Sequence, residues 1–391
     1  MPSILATATA LPENRFETAE LLEALSPRIS DELRCTIKGL GVDVRHSVYA
    51  NYAAAMQGRP ASPTATTTTL AARAARECIE RSGGEPRRIG LLVTVTNTPA
   101  ELLPGLAPSL LADLHGMLDP SMPILSLQGQ GCSALLKAME VTRWFLEGHP
   151  ESEALVVAAE VQTPLAPHLT SERFHGFRDI VRLAKSGALD AGGVEGAQLD
   201  AEAVVQAMLF GDGAVALRIG GGEGFASIGP VAHATNTAPE DAALLVMHEG
   251  GSQQPNVDGK PRYHMHRGVP ARGAEYAART VAAVLAAAGS PITRVDGATS
   301  LFVHTGSRKI LDGVCDRLGV ARTAPEVAGS YEVLRRHGNL SSASVGFMLH
   351  AAQGTMGPAL VVSFGVGFSA SAGVLTFGRQ AAATRPLRAV A

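Results

Sequence analysis

Three residues far apart in the chain, Cys132, His304 and Asn339, could together carry out covalent acyl chemistry. Cys132 stands in SLQGQGCSALLKAME, His304 in LFVHTGSRKILDGV and Asn339 in VLRRHGNLSSASVGFML. The first segment reads as a strand, a Gly-Gln-Gly turn and the start of a helix. Such a turn exposes the thiol, and the helix N-terminus sets positive partial charge beside it, so a lowered thiol pKa is expected. A thiolate accepts an acyl group from another thioester at little free-energy cost, which builds a covalent acyl-enzyme. The imidazole, at the end of the strand SLFV, can take the thiol proton or donate to a thioester oxygen as charge grows there. The carboxamide adds a second neutral donor that no titration removes. Singly, His304 reads as a structural histidine and Asn339 as a turn or cap residue. Together with Cys132 they read as a site for stabilising an enolate. Gly365 and Gly367, in SFGVGFSAS, would let backbone amides approach the reacting thioester. The other cysteines, Cys35, Cys78 and Cys315, lie inside apparent helices without a glycine elbow and are expected to be buried core thiols.

The elements that must position these residues alternate in a βαβ rhythm. Short apolar runs suited to buried strands are IGLLVTVTN, PILSLQG, ALVVAAEV and AVALRIG in the first half, and FASIGPV, SLFVHTG, ALVVSFGVG and GVLTFG in the second. Helices are expected at TTTTLAARAARECIERSG, SALLKAMEVTRWFLEG and GAEYAARTVAAVLAAAG, with Thr, Ser or Gly near their ends in capping positions. At 391 residues the chain exceeds a single-core domain. Its two halves echo each other weakly, which predicts two related α/β units, residues 1–220 with the cysteine and 221–391 with the histidine and asparagine. The stretch GGGEG near residue 220 marks the boundary. Sites in open α/β sheets form at the carboxyl ends of strands, so the three residues can meet. Residues 166–203 break the rhythm, with one helix and a Gly/Ala-rich loop that could be a lid, an interface arm or a tolerated insertion.

Composition narrows the possibilities. A net charge of −3 without a basic block, and only 4% aromatic residues, argue against a nucleic-acid surface. No apolar run approaches the ~20 residues of a membrane span, and the opening MPSILATATALPENRF lacks a basic n-region, so a soluble cytoplasmic protein is expected. The cysteines form no CxxC pair, and reduced thiols are the default. His264 and His266 share one side of a strand, but with no carboxylate or third imidazole nearby in sequence no metal site is expected.

The segments QAMLFGDGAVAL, YHMHRGVP, HTGSRKILDGVCDRLGV and EVLRRHGNLSSASV resemble those of thiolase-fold condensing enzymes, in particular the type III polyketide synthase (chalcone synthase-like) and ketoacyl-ACP synthase III families. The likeness spans essentially the whole chain. It implies a thiolase-like five-layered αβαβα fold, a homodimer, and Cys132, His304 and Asn339 as a catalytic triad. Phe210 and Tyr263 then match two aromatic gatekeepers, with Tyr263 in place of the usual Phe. Leu103 matches a residue that reaches into the partner subunit's cavity. Arg34 and Lys38 match cationic residues that hold coenzyme A phosphates, with Asp31 in place of a third. The implied reaction joins an acyl-CoA starter to malonyl-CoA by decarboxylative Claisen condensation, with CoA or acyl carrier protein as carrier and no metal or redox cofactor. The alternatives are acyl transfer without malonate decarboxylation and a non-catalytic partner subunit. The sequence departs from the chalcone synthase pattern in Ser-Ala-Leu-Leu after the cysteine, HTGSRKI after the strand, Val366 in the terminal loop and the longer 166–203 segment, all of which bear on substrate and product.

Overall fold

The computed structural model describes residues 1–247, 249–255, 263–266 and 268–378. Its strands are β1 (Ser3–Ala10), β2 (Asn14–Glu17), β3 (Val44–Ser47), β4 (Ile89–Thr96), β5 (Ile124–Gln128), β6 (Glu153–Glu160) and β7 (Gly213–Gly220). They continue with β8 (Ala226–Thr235), β9 (Leu245–Val246), β10 (His264–Met265), β11 (Ser300–Val303), β12 (Gly357–Gly365) and β13 (Ser369–Phe377). The α-helices are α1 (Thr18–Ala24), α2 (Asp31–Lys38), α3 (Tyr52–Ala55), α4 (Thr67–Arg81), α5 (Leu106–Asp113) and α6 (Ala134–Gly148). After these come α7 (Phe177–Lys185), α8 (Ala191–Leu209), α9 (Val269–Ala286), α10 (Arg308–Leu318), α11 (Ala328–His337) and α12 (Ser344–Ala351).

The run of apolar residues in β6 shows how the layers arise. Side chains alternate across a strand, and here both faces are covered. Ala154, Val156 and Ala158 face a core shared with α6 and α12. Leu155, Val157 and Ala159 face the opposite core, with Leu70 and Ala74 of α4 and Leu110 of α5. The same division holds in the second half. Val361 of β12 joins the core of α6 and α12, while Leu360 and Val362 meet Tyr276 of α9 and Leu311 of α10. Five layers result: α4 with α5, one half of the sheet, α6 with α12, the other half of the sheet, and α9 with α10.

The strand order is β5-β4-β6-β7-β1-β8-β13-β12-β11. β5, β4 and β6 run parallel, as do β11 and β12, and the strands between are antiparallel. Among the described residues, the strands of residues 3–220 pair with those of residues 226–377 only where β1 meets β8, at Ser3↔Ser227 and Ile4↔Ala226.

Two local expectations are corrected. The Gly/Ala-rich part of residues 166–203 is helical, within α8. Asp190 caps it by accepting from Gly193 N at 2.7 Å. Ala201, Ala203, Val204 and Ala207 are buried against α1, α2 and α3, and this packing outweighs the poor helix propensity of glycine. Cys35 is exposed rather than buried, because α2 turns Leu33 and Ile37 inward and leaves the thiol on the other face. Cys78 and Cys315 are buried as expected.

Candidate active site

The carboxyl ends of β4, β5 and β6 lie side by side and bring together Asn97, the turn 129–131 and Glu160. From the other half, the ends of β11 and β12 bring His304 and Gly365. Gly129 and Gly131 both have φ +66°, a left-handed conformation that only glycine adopts freely, so the chain can reverse between β5 and the cysteine. Here the halves cross backbone to backbone. A Cβ on Gly131 would lie 2.4 Å from Val366 N, and one on Gly365 would lie 2.4 Å from Cys132 N. The Ser363 hydroxyl donates to Cys132 O at 2.7 Å and holds the crossing.

Cys132, His304 and Asn339 line one narrow cavity with Phe210, Tyr263 and Gly365. Its free volume of about 60 Å³ holds a few water molecules, less than a bound acyl chain requires. Phe210 and Tyr263 stack with ring centroids 5.5 Å apart and form part of its wall. Gly367 (φ +73°) shapes the terminal loop without lining the cavity, nor do Leu103, Arg34 and Lys38 line it. Leu103 is 86% exposed on the loop between β4 and α5. Lys38 borders an open cleft with Arg308, Arg322 and Arg335, and Arg34 lies one turn earlier on α2. His264 Nε2 lies 3.5 Å from Glu249 Oε1, a carboxylate that sequence alone did not place there. Among the described residues no three metal-binding side chains cluster.

The electrostatics differ from expectation at the thiol. Burial pushes Cys132 up to about 12, and the nearby Glu160 charge adds to this, while a contact of 3.4 Å with Ser341 Oγ opposes it. The turn does present the sulfur to the cavity, but the second half of the molecule closes over it, and desolvation outweighs the helix end. Burial also lowers His304 to about 3, so the imidazole is neutral. Its ring stands edge-on to Phe364 with centroids 5.5 Å apart, and Nδ1 is buried without a hydrogen-bond partner. Asn339 Oδ1 accepts from Ser341 N at 2.8 Å, which fixes the carboxamide and leaves Nδ2 as the donor for a ligand oxygen. Ser341 has φ +48°, a left-handed conformation uncommon outside glycine, at the start of the turn Ser341–Ala343.

Sequence reasoning missed Asn97, Glu160 and Ser341. Glu160 is fully buried and accepts from Asn97 N and Nδ2, Thr98 Oγ1, and Ser342 N and Oγ. The available signal was position alone, since Asn97 and Glu160 stand at the carboxyl ends of apolar runs.

Comparison with known proteins bears on the fold and on the class of enzyme. The family model "3-Oxoacyl-[acyl-carrier-protein (ACP)] synthase III C terminal" matches residues 292–377. The chain is 27% identical over 350 residues to a beta-ketoacyl-[acyl-carrier-protein] synthase III of Rhizorhabdus wittichii, covering 89% of each. It is 25% identical over 362 residues to the alpha-pyrone synthesis polyketide synthase-like Pks18 of Mycobacterium tuberculosis, covering 90% of this chain and 80% of that one. The solved C-terminal type III polyketide synthase domain of Steely1 from Dictyostelium superposes with a TM-score of 0.75 at 18% identity, covering 96% and 99% of the two chains. The chain has the fold of the thiolase-like condensing enzymes. It is an acyltransferase similar in sequence to both ketoacyl synthases III and polyketide synthases.

Proposed function

We propose that the protein forms carbon–carbon bonds by decarboxylative condensation of an acyl-CoA starter with malonyl-CoA. The observation that carries this reading is the convergence of Cys132, His304 and Asn339 on one cavity walled by Phe210 and Tyr263. In the loading step the sulfur attacks the starter thioester while its proton passes to His304. The tetrahedral intermediate collapses, and CoA leaves as the thiol with that proton. In the extension step the bond between malonyl carbon and carboxylate breaks. Carbon dioxide departs, and the electron pair moves to the thioester oxygen, held by the neutral donors His304 and Asn339. The resulting carbanion attacks the acyl-cysteine, and the cysteine sulfur is released and reprotonated. Lys38 and Arg308, on a cleft that also carries Asp43, Asp312 and Glu332, and Arg34 one turn earlier on α2 supply positive charge suited to CoA phosphates.

The same proposal includes a homodimer. β5 is an edge strand of the large sheet, and Leu102, Leu103 and Leu125 beside it are 78%, 86% and 41% exposed. An open strand edge rimmed by apolar side chains suits a two-fold interface with a second copy.

The test is intact-protein mass spectrometry of wild type and Cys132→Ser after exposure to a panel of acyl-CoAs, with and without malonyl-CoA. The expected result is an acyl adduct that is lost in the variant and discharged by malonyl-CoA with release of carbon dioxide. An adduct that malonyl-CoA leaves untouched points instead to acyl transfer, and no adduct from any donor points to a carrier-protein donor or a non-catalytic subunit.

A further inference from the structure

Behind the thiol runs a chain of polar groups whose donors and acceptors fix the orientation of the Asn97 carboxamide. Gly131 N, a donor only, meets Asn97 Oδ1 at 2.8 Å. The Asn97 carboxamide must therefore turn its oxygen to the cysteine turn and its NH₂ the other way. There Nδ2 finds Glu160 Oε1 at 2.9 Å and Ser341 Oγ at 3.1 Å. A flipped carboxamide would set NH₂ against N–H and oxygen against a buried carboxyl group, so this orientation is fixed. Since Ser341 Oγ accepts from Asn97, its own proton is available to the sulfur of Cys132, 3.4 Å away. Without Asn97 the hydroxyl could turn and take the S–H as donor instead.

We infer that Asn97 is a positioning residue for the nucleophile: it ties the cysteine turn to the Ser341 hydroxyl and directs that hydroxyl's proton at the sulfur. The role belongs to the reaction proposed above. A hydrogen bond donated to sulfur stabilises the thiolate as it forms before acylation and as it leaves after condensation. Glu160, held by two backbone amides as well as side chains, anchors the carboxamide rather than touching the thiol. The titratable groups around the sulfur are His304, Tyr263 and Glu160; of these Asn97 bonds to Glu160, so Ser341→Ala, which leaves Asn97 and its bonds to Glu160 in place, separates the hydroxyl's effect from any change at Glu160.

The test reads the thiol directly, so it is independent of whether the enzyme condenses malonyl units. Alkylation of Cys132 by iodoacetamide is followed by peptide mass spectrometry across pH in the full-length wild type, Asn97→Asp, Asn97→Ala and Ser341→Ala. Asn97→Asp keeps an oxygen for Gly131 N but gives Ser341 an acceptor, drawing its proton away from sulfur. We expect this variant and Ser341→Ala to displace the rate profile upward by about one pH unit, about tenfold slower at a given pH. The double variant Asn97→Asp/Ser341→Ala should be no slower than either single one. A merely structural role has the opposite sign, because a loosened site admits water and speeds alkylation. Unchanged or faster alkylation in folded Asn97→Asp, or additive slowing in the double variant, overturns the inference. Where Asn97→Ala or Asn97→Asp fails to fold, Ser341→Ala still decides it, since a wild-type profile there removes the hydroxyl from the mechanism.

Discussion

A thiol near 12 and an imidazole near 3 make Cys132 and His304 a neutral pair at ordinary pH. On the proposed function, the cysteine then surrenders its proton during attack and does not react from a standing ion pair. In the substrate-free wild type, Cys132 alkylation should rise about tenfold per pH unit between about pH 7 and about pH 9.5. A plateau reached by about pH 7 would show instead a thiolate already formed. At the wall of the cavity, Tyr263→Ala removes one of two stacked rings from a space of about 60 Å³. Longer products or starters are expected, read by mass spectrometry of the product mixture, and an unchanged profile would assign Tyr263 to packing. That Cys132, His304 and Asn339 meet at one cavity was legible because each stands in a segment with its own signature. The pKa of the thiol was not, since Phe364, Gly365 and Val366, which help to close the cavity, come from the other half of the chain. Asn97 was illegible for a related reason: its partners are Gly131, Glu160 and Ser341, and no local pattern announces them.

Elements, in turn, owe their legibility to burial. β6 and β12 read clearly from sequence because both faces of each are covered, giving unbroken apolar runs. α8 did not, because its glycines argue for a loop and only the packing of Ala201 to Ala207 holds the segment as a helix. Position among elements makes two further outcomes testable. Gly365→Ala would put a methyl group 2.4 Å from Cys132 N, so either β12 or the cysteine turn must shift. We expect a loss of about 1–3 kcal/mol in stability and acyl loading at least about a hundredfold slower, measured by denaturant unfolding and adduct formation. Normal loading would mean that the crossing tolerates a shift. The segment between β8 and α9 carries Leu245, Tyr263 and Met265 onto the cavity. The stretch before Leu245 is pinned by Asp241, which meets Arg272 Nε at 2.9 Å and Tyr276 Oη at 2.6 Å and is held down at about 2 by these donors. Asp241→Asn should raise KM for the starter several-fold with little change in kcat, and steady-state kinetics will show whether the two parameters separate this way.

For the whole molecule, the buried histidines make stability sensitive to acid. His304 is lowered to about 3 and His337 to about 4, both chiefly by burial, against an ordinary value of 6.5. Between those limits the unfolded chain binds protons that the folded chain refuses. The contribution of these two groups is therefore complete above about 6.5 and falls as pH drops toward the folded values. His304→Gln removes one such group, so its Tm should decline less than that of wild type between about pH 7 and about pH 4. Parallel curves for the two proteins would place the acid sensitivity elsewhere. The layered architecture was readable in outline from the βαβ rhythm and the resemblance. How the parts close on one another was not, because the narrow β1–β8 contact depends on only two residue pairs.

The crossing of Gly131 and Gly365 also has a meaning in time. A ribosome makes Cys132 long before Ser363 and Gly365, the residues that grip its carbonyl and press against its amide. Until those arrive, the first half of the chain carries a thiol with neither His304 nor Asn339 beside it. On the proposed function, acyl chemistry is thus withheld from the nascent protein and switched on only when its late strands dock. A chain cut between β7 and β8 should accordingly yield two silent fragments whose activity, if it returns, returns only on mixing.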